Sequence, residues 1–355
     1  MGLHLALGAI TNPPGLGPPT GAPDPALIAG IAAYRRHPYQ RALEDPPTLW
    51  AEGESRMLDY GGDGPVVLFV PSLINRAYIL DLAPERSMLR WLAARGVRPV
   101  LMDWGWPGEV ERRFTLTDYV AGRLERAIEA IGGPVVLAGY CMGGLLTMAA
   151  ALRRPEHVAA LALFATPWDF HAADPAVAQQ AATVLQAVGP LLAAGTLPID
   201  ALQGMFALLD PGGVATKYLA FARLDQDSPR ARMFVALEDW LADGVPLPAP
   251  VARECLEGWY GANSTAALSW RIAGLAVDPA ALRLPVWVAT PAQDRIVPPE
   301  SALPLAGLIP LAVHVRPRAG HVGMVAGARA ETELWHPLLD WLRTLQTPIS
   351  VTRRK

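Results

Sequence analysis

The feature that most constrains this chain is a six-residue run, GYCMGG, at positions 139–144. It follows an apolar stretch at 134–138 and precedes a stretch with helical spacing at 145–153. The run is a G-x-S-x-G nucleophile elbow with Cys141 in the serine position. Glycine is needed there because side chains beside the central residue of so sharp a strand-to-helix turn would collide with the strand and the helix. We therefore expect one reactive sulfur at the carboxyl end of a buried strand.

Composition and charge exclude several classes of protein. The 355 residues carry a formal net charge of −3, and the only basic cluster is at 353–355, so no nucleic-acid partner is expected. The two cysteines, Cys141 and Cys255, do not have the spacing of a disulfide-rich protein or of a zinc site. We therefore expect neither. The N-terminal stretch lacks a basic segment, and no stretch reaches about 20 uninterrupted apolar residues. We expect a cytoplasmic protein without a signal peptide or a transmembrane segment.

Strand-like and helix-like segments alternate along most of the chain. Apolar runs of strand length occur at 66–70, 98–102, 134–138, 158–164, 285–289 and 312–316. Segments with helical spacing occur at 85–95, 117–131, 145–153 and 331–345. This alternation is typical of a mostly parallel sheet with right-handed crossovers. It stops from 168 to 282, where the sequence is rich in Ala and Leu and is broken by Gly and Pro.

These patterns predict an α/β protein with three parts. Residues 1–25, rich in Pro and Gly, are expected to form an irregular N-terminal lead-in. Residues 26–167 and 283–355 are expected to form a mostly parallel sheet flanked by helices, and residues 168–282 a helical cap inserted into it. An elbow at the end of a strand, within this alternation, is the pattern of the α/β-hydrolase fold.

An acid and a histidine follow the cysteine in the chain order that this fold uses. Asp294 stands just after the apolar run 285–289, and His321 just after the run 312–316. Each is therefore placed at the carboxyl end of a strand, and Cys141, Asp294 and His321 are the predicted catalytic residues. The alternative role for Asp294 is that of an ordinary loop aspartate, and the alternative for His321 is that of a hydrogen-bonded histidine in a turn. None of the histidines has metal-ligand spacing, so no metal site is expected.

A cysteine nucleophile needs a partner that favours its thiolate. A thiol with the ordinary pKa of about 8.5 is mostly protonated at neutral pH, so an imidazole such as His321 must accept its proton. The helix N-terminus beside Cys141 adds partial positive charge. Attack on an acyl-CoA forms another thioester, so the acyl group stays activated for transfer. The oxyanion is expected to accept hydrogen bonds from the N–H of Met142 and from an N–H near Leu73 and Ile74.

Five segments carry a more specific resemblance. They are LINRAYILDL at 73–82 with the following PERS at 84–87, MDWG at 102–105, the Cys141 segment, QDRIVP at 293–298 and GHVG at 320–323. They resemble the polyhydroxyalkanoate synthases, which polymerise 3-hydroxyacyl-CoA thioesters through an active-site cysteine. The first segment is the most specific, because an Asn-Arg-x-Tyr-x-x-Asp-Leu run is not a general hydrolase feature. Length and the GHVG segment are most similar to the short, two-subunit (class III) synthases.

The resemblance implies acyl transfer from a short 3-hydroxyacyl-CoA to the hydroxyl of a growing polyester, with release of CoA and without a metal or redox cofactor. Cys141 would carry the acyl group and His321 would be the base, while Asp294 would orient the histidine or help to activate the incoming hydroxyl. Asn75 and Tyr78 become substrate-binding candidates. The resemblance also implies a helper subunit and association with polymer granules, and the apolar cap helices are compatible with a homodimer.

Two other functions remain open. A thioesterase or esterase on the same scaffold would use water as the acceptor, although serine is the usual nucleophile of α/β hydrolases. A catalytically silent homologue would bind a partner or a granule, but all three predicted catalytic residues are present. Cys255, in a helical part of the cap, is expected to be structural. The cap is expected to cover the active site and to open for CoA, so that Cys141 is largely buried in the free protein.

Overall fold

An eight-stranded sheet lies at the centre of the computed structural model, which describes residues 24–208 and 212–346. Its strands are β1 (Thr48–Glu52), β2 (Ser55–Asp59), β3 (Val66–Val70), β4 (Arg98–Asp103), β5 (Val135–Tyr140), β6 (Val158–Phe164), β7 (Val286–Ala289) and β8 (Val313–Val315). Their order across the sheet is β1-β2-β4-β3-β5-β6-β7-β8. The pairs from β4 to β8 are parallel, whereas β2 is antiparallel to both β1 and β4. The mostly parallel sheet expected from the sequence is confirmed.

The central strands are apolar without interruption because both faces of the sheet are covered. In β3, Val67 and Phe69 enter the core on one face, whereas Leu68 and Val70 enter the core on the other. All four side chains are fully buried. The hairpin β1–β2 was not expected from the sequence. Its first strand is mostly exposed, so an apolar signal is absent there.

Helices cover both faces of this sheet and form most of the chain between β6 and β7. They are α1 (Pro25–Arg36), α2 (Met88–Ala93), α3 (Glu125–Ile131), α4 (Met142–Arg153), α5 (Val177–Leu192), α6 (Ile199–Leu208), α7 (Gly213–Phe221), α8 (Pro229–Ala242), α9 (Ala249–Arg253), α10 (Pro299–Leu308), α11 (Gly323–Ala326) and α12 (His336–Gln346). Wider π-helical turns occupy Asp118–Leu124, Glu254–Gly261 and Glu331–Trp335, and single 3₁₀ turns occupy Ala77–Leu80, Pro84–Arg86, Glu111–Arg113 and Pro279–Ala281. Short strand pairs join Thr196–Leu197 to Leu247–Pro248 and Arg271–Ile272 to Leu275–Ala276.

The segment between β6 and β7 carries helices α5 to α9, in line with the helical character expected of residues 168–282. The turn after α8 is attached to the loop after β3: the N–H of Val245 donates to the carbonyl of Ile74 at 2.9 Å, and Asn75 pairs with Gly244. The treatment of this segment as a separate cap, with the boundaries given above, stays a prediction.

Helix α1 has clear local causes. Its N-cap, Asp24, accepts a hydrogen bond from the N–H of Ala26 at 2.8 Å, and Pro25 occupies the first helical position. Its buried side chains, Leu27 and Ile31, form a small cluster with Tyr218 of α7. The helix was assigned to the sheet core from the sequence, but it packs against the helices between β6 and β7. The expected lead-in at 1–25 lies almost entirely outside the described residues.

Among the described residues, none of the helices combines the length and the apolar character that crossing a membrane requires.

Candidate active site

Cys141 lies in the turn between β5 and α4 and has a backbone that L-residues rarely adopt. Its φ is 57° and its ψ is −127°, and its N–H donates to the carbonyl of Phe164 at the end of β6, at 2.8 Å. A residue in this region costs of order 1–3 kcal/mol and persists only where its surroundings impose it. The strained elbow expected from the glycine pattern is present. Cys141 is partly buried, whereas the sequence predicts that it is largely buried.

The flanking glycines bring the elbow helix against the neighbouring strand. A Cβ at Gly143 would lie 2.0 Å from the carbonyl oxygen of Val70 and 2.7 Å from that of Pro71. A Cβ at Gly139 would lie 2.3 Å from Thr147 Oγ1. Only glycine therefore allows the first turn of α4 to touch the loop after β3. That contact is what a pair of oxyanion donors from these two places needs.

Asp294 and His321, each in a loop beyond a strand, form a buried hydrogen-bonded pair. His321 Nδ1 lies 2.7 Å from Asp294 Oδ2. The other carboxylate oxygen, Oδ1, accepts hydrogen bonds from the N–H groups of Ile296 and Val297 at 2.8 and 2.9 Å. Both carboxylate oxygens are thus engaged, and Asp294 has one orientation. This fixes Nε2 of His321 as the nitrogen that faces away from the aspartate.

Cys141 and Asp294 together govern the charge of His321. Burial on its own lowers the pKa of the imidazole. The interaction with Cys141 and the hydrogen bond that the imidazole donates to Asp294 outweigh burial and raise the pKa of His321 from 6.5 to about 10. A protonated imidazole is the form that this arrangement favours. Cys141, His321 and Asp294, predicted from separate loops, are therefore brought together in one place.

Tyr140 holds the imidazole from a second side. Its ring is tilted by 31° to that of His321, with 5.0 Å between the ring centres, and its hydroxyl donates to the carbonyl of His321 at 3.1 Å. Tyr140 is buried, and burial raises the pKa of its hydroxyl well above 10, so it stays a neutral donor. Sequence reasoning missed this residue. Its only signal was its place in the elbow, directly before Cys141.

The expected oxyanion donors belong to two different elements of the fold. Met142 begins α4, and Leu73 and Ile74 lie in the loop after β3. The N–H of Ile74 already donates to Ser72 Oγ at 3.2 Å. Ile74 is thus engaged within its own loop, which leaves Met142 with Leu73 as the better pair.

A cavity of about 840 Å³ lies over this site and is lined by Cys141, Tyr140 and His321. Its volume falls in the upper part of the range of pockets that bind small molecules, roughly 300–1,000 Å³. The rest of its wall comes from the loops after β3, β4 and β7, from the segment between β6 and β7, and from α1. Asn75 lines this cavity, as its role as a substrate-binding candidate requires.

Tyr78 and Cys255 lie elsewhere. The Tyr78 side chain lines a separate cavity of about 210 Å³, where its hydroxyl is hydrogen-bonded to Asp243 and its ring lies under Arg41. Tyr78 is not among the described residues that line the cavity over Cys141, and its role in substrate binding stays a prediction. Cys255 is buried in the hydrophobic core, where burial raises the pKa of its thiol.

Three relatives of this chain are each named poly(3-hydroxyalkanoate) polymerase subunit PhaC. The poly(3-hydroxyalkanoate) polymerase subunit PhaC of Haloferax mediterranei is 29% identical over 325 residues, which cover 86% of this chain and 66% of the relative. That of Haloarcula marismortui is 28% identical, with 78% and 60% covered. That of Allochromatium vinosum is 29% identical, with 78% and 80% covered. The chain thus spans less than two thirds of the length of the Haloferax and Haloarcula proteins.

Solved structures support the fold. A non-heme bromoperoxidase, BpoC of Mycobacterium tuberculosis, matches with a TM-score of 0.56 at 18% identity, covering 87% of this chain and all of that one. An esterase of Thermogutta terrifontis matches with a TM-score of 0.51 at 22% identity, covering 87% and 100%. The family model of the alpha/beta hydrolase fold matches residues 65–328, a span that contains the elbow, the aspartate and the histidine. The chain therefore belongs to the α/β-hydrolase fold family, and within it the chain is similar to the PhaC polymerase subunits.

Proposed function

We propose that this protein polymerises short 3-hydroxyacyl-CoA thioesters into polyhydroxyalkanoate and releases CoA. One observation supports the proposal: Cys141 and His321 line the same large cavity, and His321 is hydrogen-bonded to Asp294 behind it. The similarity to PhaC polymerase subunits supplies the substrate class.

In the first step, the Cys141 sulfur attacks the carbonyl carbon of the thioester. The oxyanion that forms accepts hydrogen bonds from the N–H groups of Met142 and Leu73. The intermediate collapses, the C–S bond to CoA breaks, and the proton held by His321 passes to the leaving thiolate. The acyl group is now a thioester on Cys141.

In the second step, neutral His321 takes the proton of an acceptor hydroxyl on another 3-hydroxyacyl group. The hydroxyl oxygen attacks the acyl-enzyme, an ester bond forms, and the Cys141 thiolate leaves and pairs again with the imidazolium. Asp294 holds the imidazole in the orientation that both steps need and stabilises its charge. Each addition thus forms one ester and frees one CoA.

The test is incubation of the purified protein with 3-hydroxybutyryl-CoA, with CoA release and insoluble polymer measured together. Polymer formed in step with CoA supports the proposal. CoA release with free 3-hydroxybutyrate instead assigns the chain to thioesterases of the same fold. The assay is repeated at several protein concentrations and with a class III helper subunit, because a homodimer and a second subunit belong to the proposal. A cytoplasmic location at polymer granules belongs to it too.

A further inference from the structure

The wall of the cavity includes helix α1. Tyr34 and Arg35, near the end of this helix, line the same cavity as Cys141 and His321. No sequence motif marks these two residues, and they precede the family-model match at 65–328. The site is therefore completed by a part of the chain outside the recognised fold.

Helix α1 is held firmly in this position. A Cβ at Gly30 would lie 2.2 Å from the carbonyl oxygen of Tyr218, so the backbones of α1 and α7 touch. The Tyr34 hydroxyl donates to Asp239 Oδ1 of α8 at 2.8 Å, and His37 Nε2 lies 2.8 Å from the carbonyl oxygen of Gln226. Contacts in the middle of the helix and at its C-terminal end thus fix the position of Arg35.

The ionised side chains that line the cavity are mostly cationic, although the whole chain has a net charge of −3. They are Arg35, Arg76, Arg112 and Lys217 on the positive side, and Asp200 and Glu238 on the negative side. Such a lining favours an anionic ligand. CoA is one, because its nucleotide end carries the phosphates while its thioester end carries the acyl group.

Arg35 is the cation of this set that is best placed to accept a new anion. Lys217 is paired with the buried Glu238 at 2.7 Å, Arg76 is paired with Asp243 at 3.4 Å, and Arg112 donates to the carbonyl of Pro107 at 3.4 Å. Arg35 makes no ion pair within the residues that the structure describes. It interacts electrostatically with the hydroxyls of Tyr34 and Tyr218.

We propose that Arg35 binds the phosphates of CoA, and that α1 is thereby part of the substrate site. This inference rests on the proposed function, since it takes a CoA thioester as the ligand of the cavity. The guanidinium suits the role because its fork of N–H groups matches phosphate oxygens.

The experiment measures binding of CoA and of pantetheine, which lacks the phosphates, by titration calorimetry. The proteins are wild type, Arg35→Ala and the matched control Arg36→Ala, whose side chain donates to the carbonyl of Ala32 on the same helix. We expect Arg35→Ala to weaken CoA binding at least about tenfold, the scale of one charge-assisted hydrogen bond. It should leave pantetheine binding unchanged. Arg36→Ala should bind both as wild type does, and Arg35→Lys should recover part of the loss.

Three results would overturn the inference: CoA affinity unchanged in Arg35→Ala, an equal loss for CoA and pantetheine, or no CoA binding by wild type. The proposed function fails separately. If the protein binds CoA through Arg35 but forms no polyester from 3-hydroxybutyryl-CoA, the role of Arg35 is supported and the polymerase function is refuted.

Discussion

At the scale of single residues, the backbone of Cys141 sets both the reactivity and the stability of the site. Its positive φ points the sulfur away from the sheet, at a cost of order 1–3 kcal/mol. Glycine would adopt the same backbone without that cost, although it loses about 0.4–1 kcal/mol because its unfolded chain is more flexible. Strain and function can therefore be separated by two substitutions at one position.

We expect Cys141→Ala and Cys141→Gly both to abolish CoA release, because each removes the sulfur. The glycine variant should be more stable than the alanine variant by about 1 kcal/mol, because only glycine relieves the strain. Urea unfolding and a CoA-release assay measure the two effects. Cys255→Ala is the control, and it should lose stability but keep activity. Substantial turnover by a folded Cys141→Ala protein would contradict the assignment of the nucleophile.

The charge of His321 provides a pH test. Because its pKa is raised from 6.5 to about 10, the charged imidazole stabilises the folded state. This contribution is fully present below pH 6.5 and is lost as the pH rises through about 10. In Cys141→Ala the thiolate is absent, so the pKa of His321 should fall markedly. Histidine NMR titration of both proteins measures the change, and equal values in the two would contradict the ion pair.

Asp294 separates acylation from chain growth. In Asp294→Asn the thiolate should still take one acyl group, whereas removal of the acceptor proton by His321 should slow by at least about 100-fold. The expected signature is a near-stoichiometric burst of CoA followed by very slow release, with the acyl-enzyme visible by mass spectrometry. Loss of the burst would mean that Asp294 is needed to generate the thiolate. Unchanged turnover would remove it from the mechanism.

At the scale of elements, α1 and α7 approach each other closely at Gly30. A side chain there would meet backbone atoms of Tyr218, which cannot rotate away. We expect Gly30→Ala to destabilise the protein by about 1–3 kcal/mol, as overpacking does. Gly204→Ala is the matched control, because Gly204 lies inside α6 with open space around its Cα and should gain about 0.5–1 kcal/mol.

Thermal unfolding of the two variants gives the measurement. Shifts of the melting temperature in opposite directions are expected from the same chemical change. If Gly30→Ala were as stable as wild type, α1 would not be held by the close approach described here.

The elements that could be predicted from sequence are those with an uninterrupted signal. The runs at 66–70 and 158–164 agree with β3 and β6, and the elbow is where the glycines placed it. The hairpin β1–β2 escaped because an edge strand with one exposed face carries little apolar pattern. The packing of α1 could not be predicted because glycine is needed at position 30 only through its contact with Tyr218, which is far away in the sequence. The direction in which Tyr78 points depends likewise on Asp243.

At the scale of the whole molecule, the apolar interior is divided. Two large clusters lie on the two faces of the sheet, and two small ones join α1 to α7 and α8. Small clusters open at lower free energy than a large core does. We expect backbone amides of α1 and α7 to exchange with solvent hydrogen faster than those of β3 and β5, as native-state exchange with mass spectrometry would measure. Exchange of α1 and α7 only through global unfolding would contradict this.

Sheet topology has a consequence for synthesis on the ribosome. Strand β6 pairs with β7, but about 120 residues separate the two along the chain. Translation proceeds at roughly 5–20 residues per second, so about 6–24 s pass between the synthesis of β6 and that of β7. During this time one edge of β6 is unpaired. Throughout that interval the nascent chain exposes an apolar strand edge of the kind that pairs with other chains. The yield of folded protein should therefore depend on chaperones that shield nascent chains.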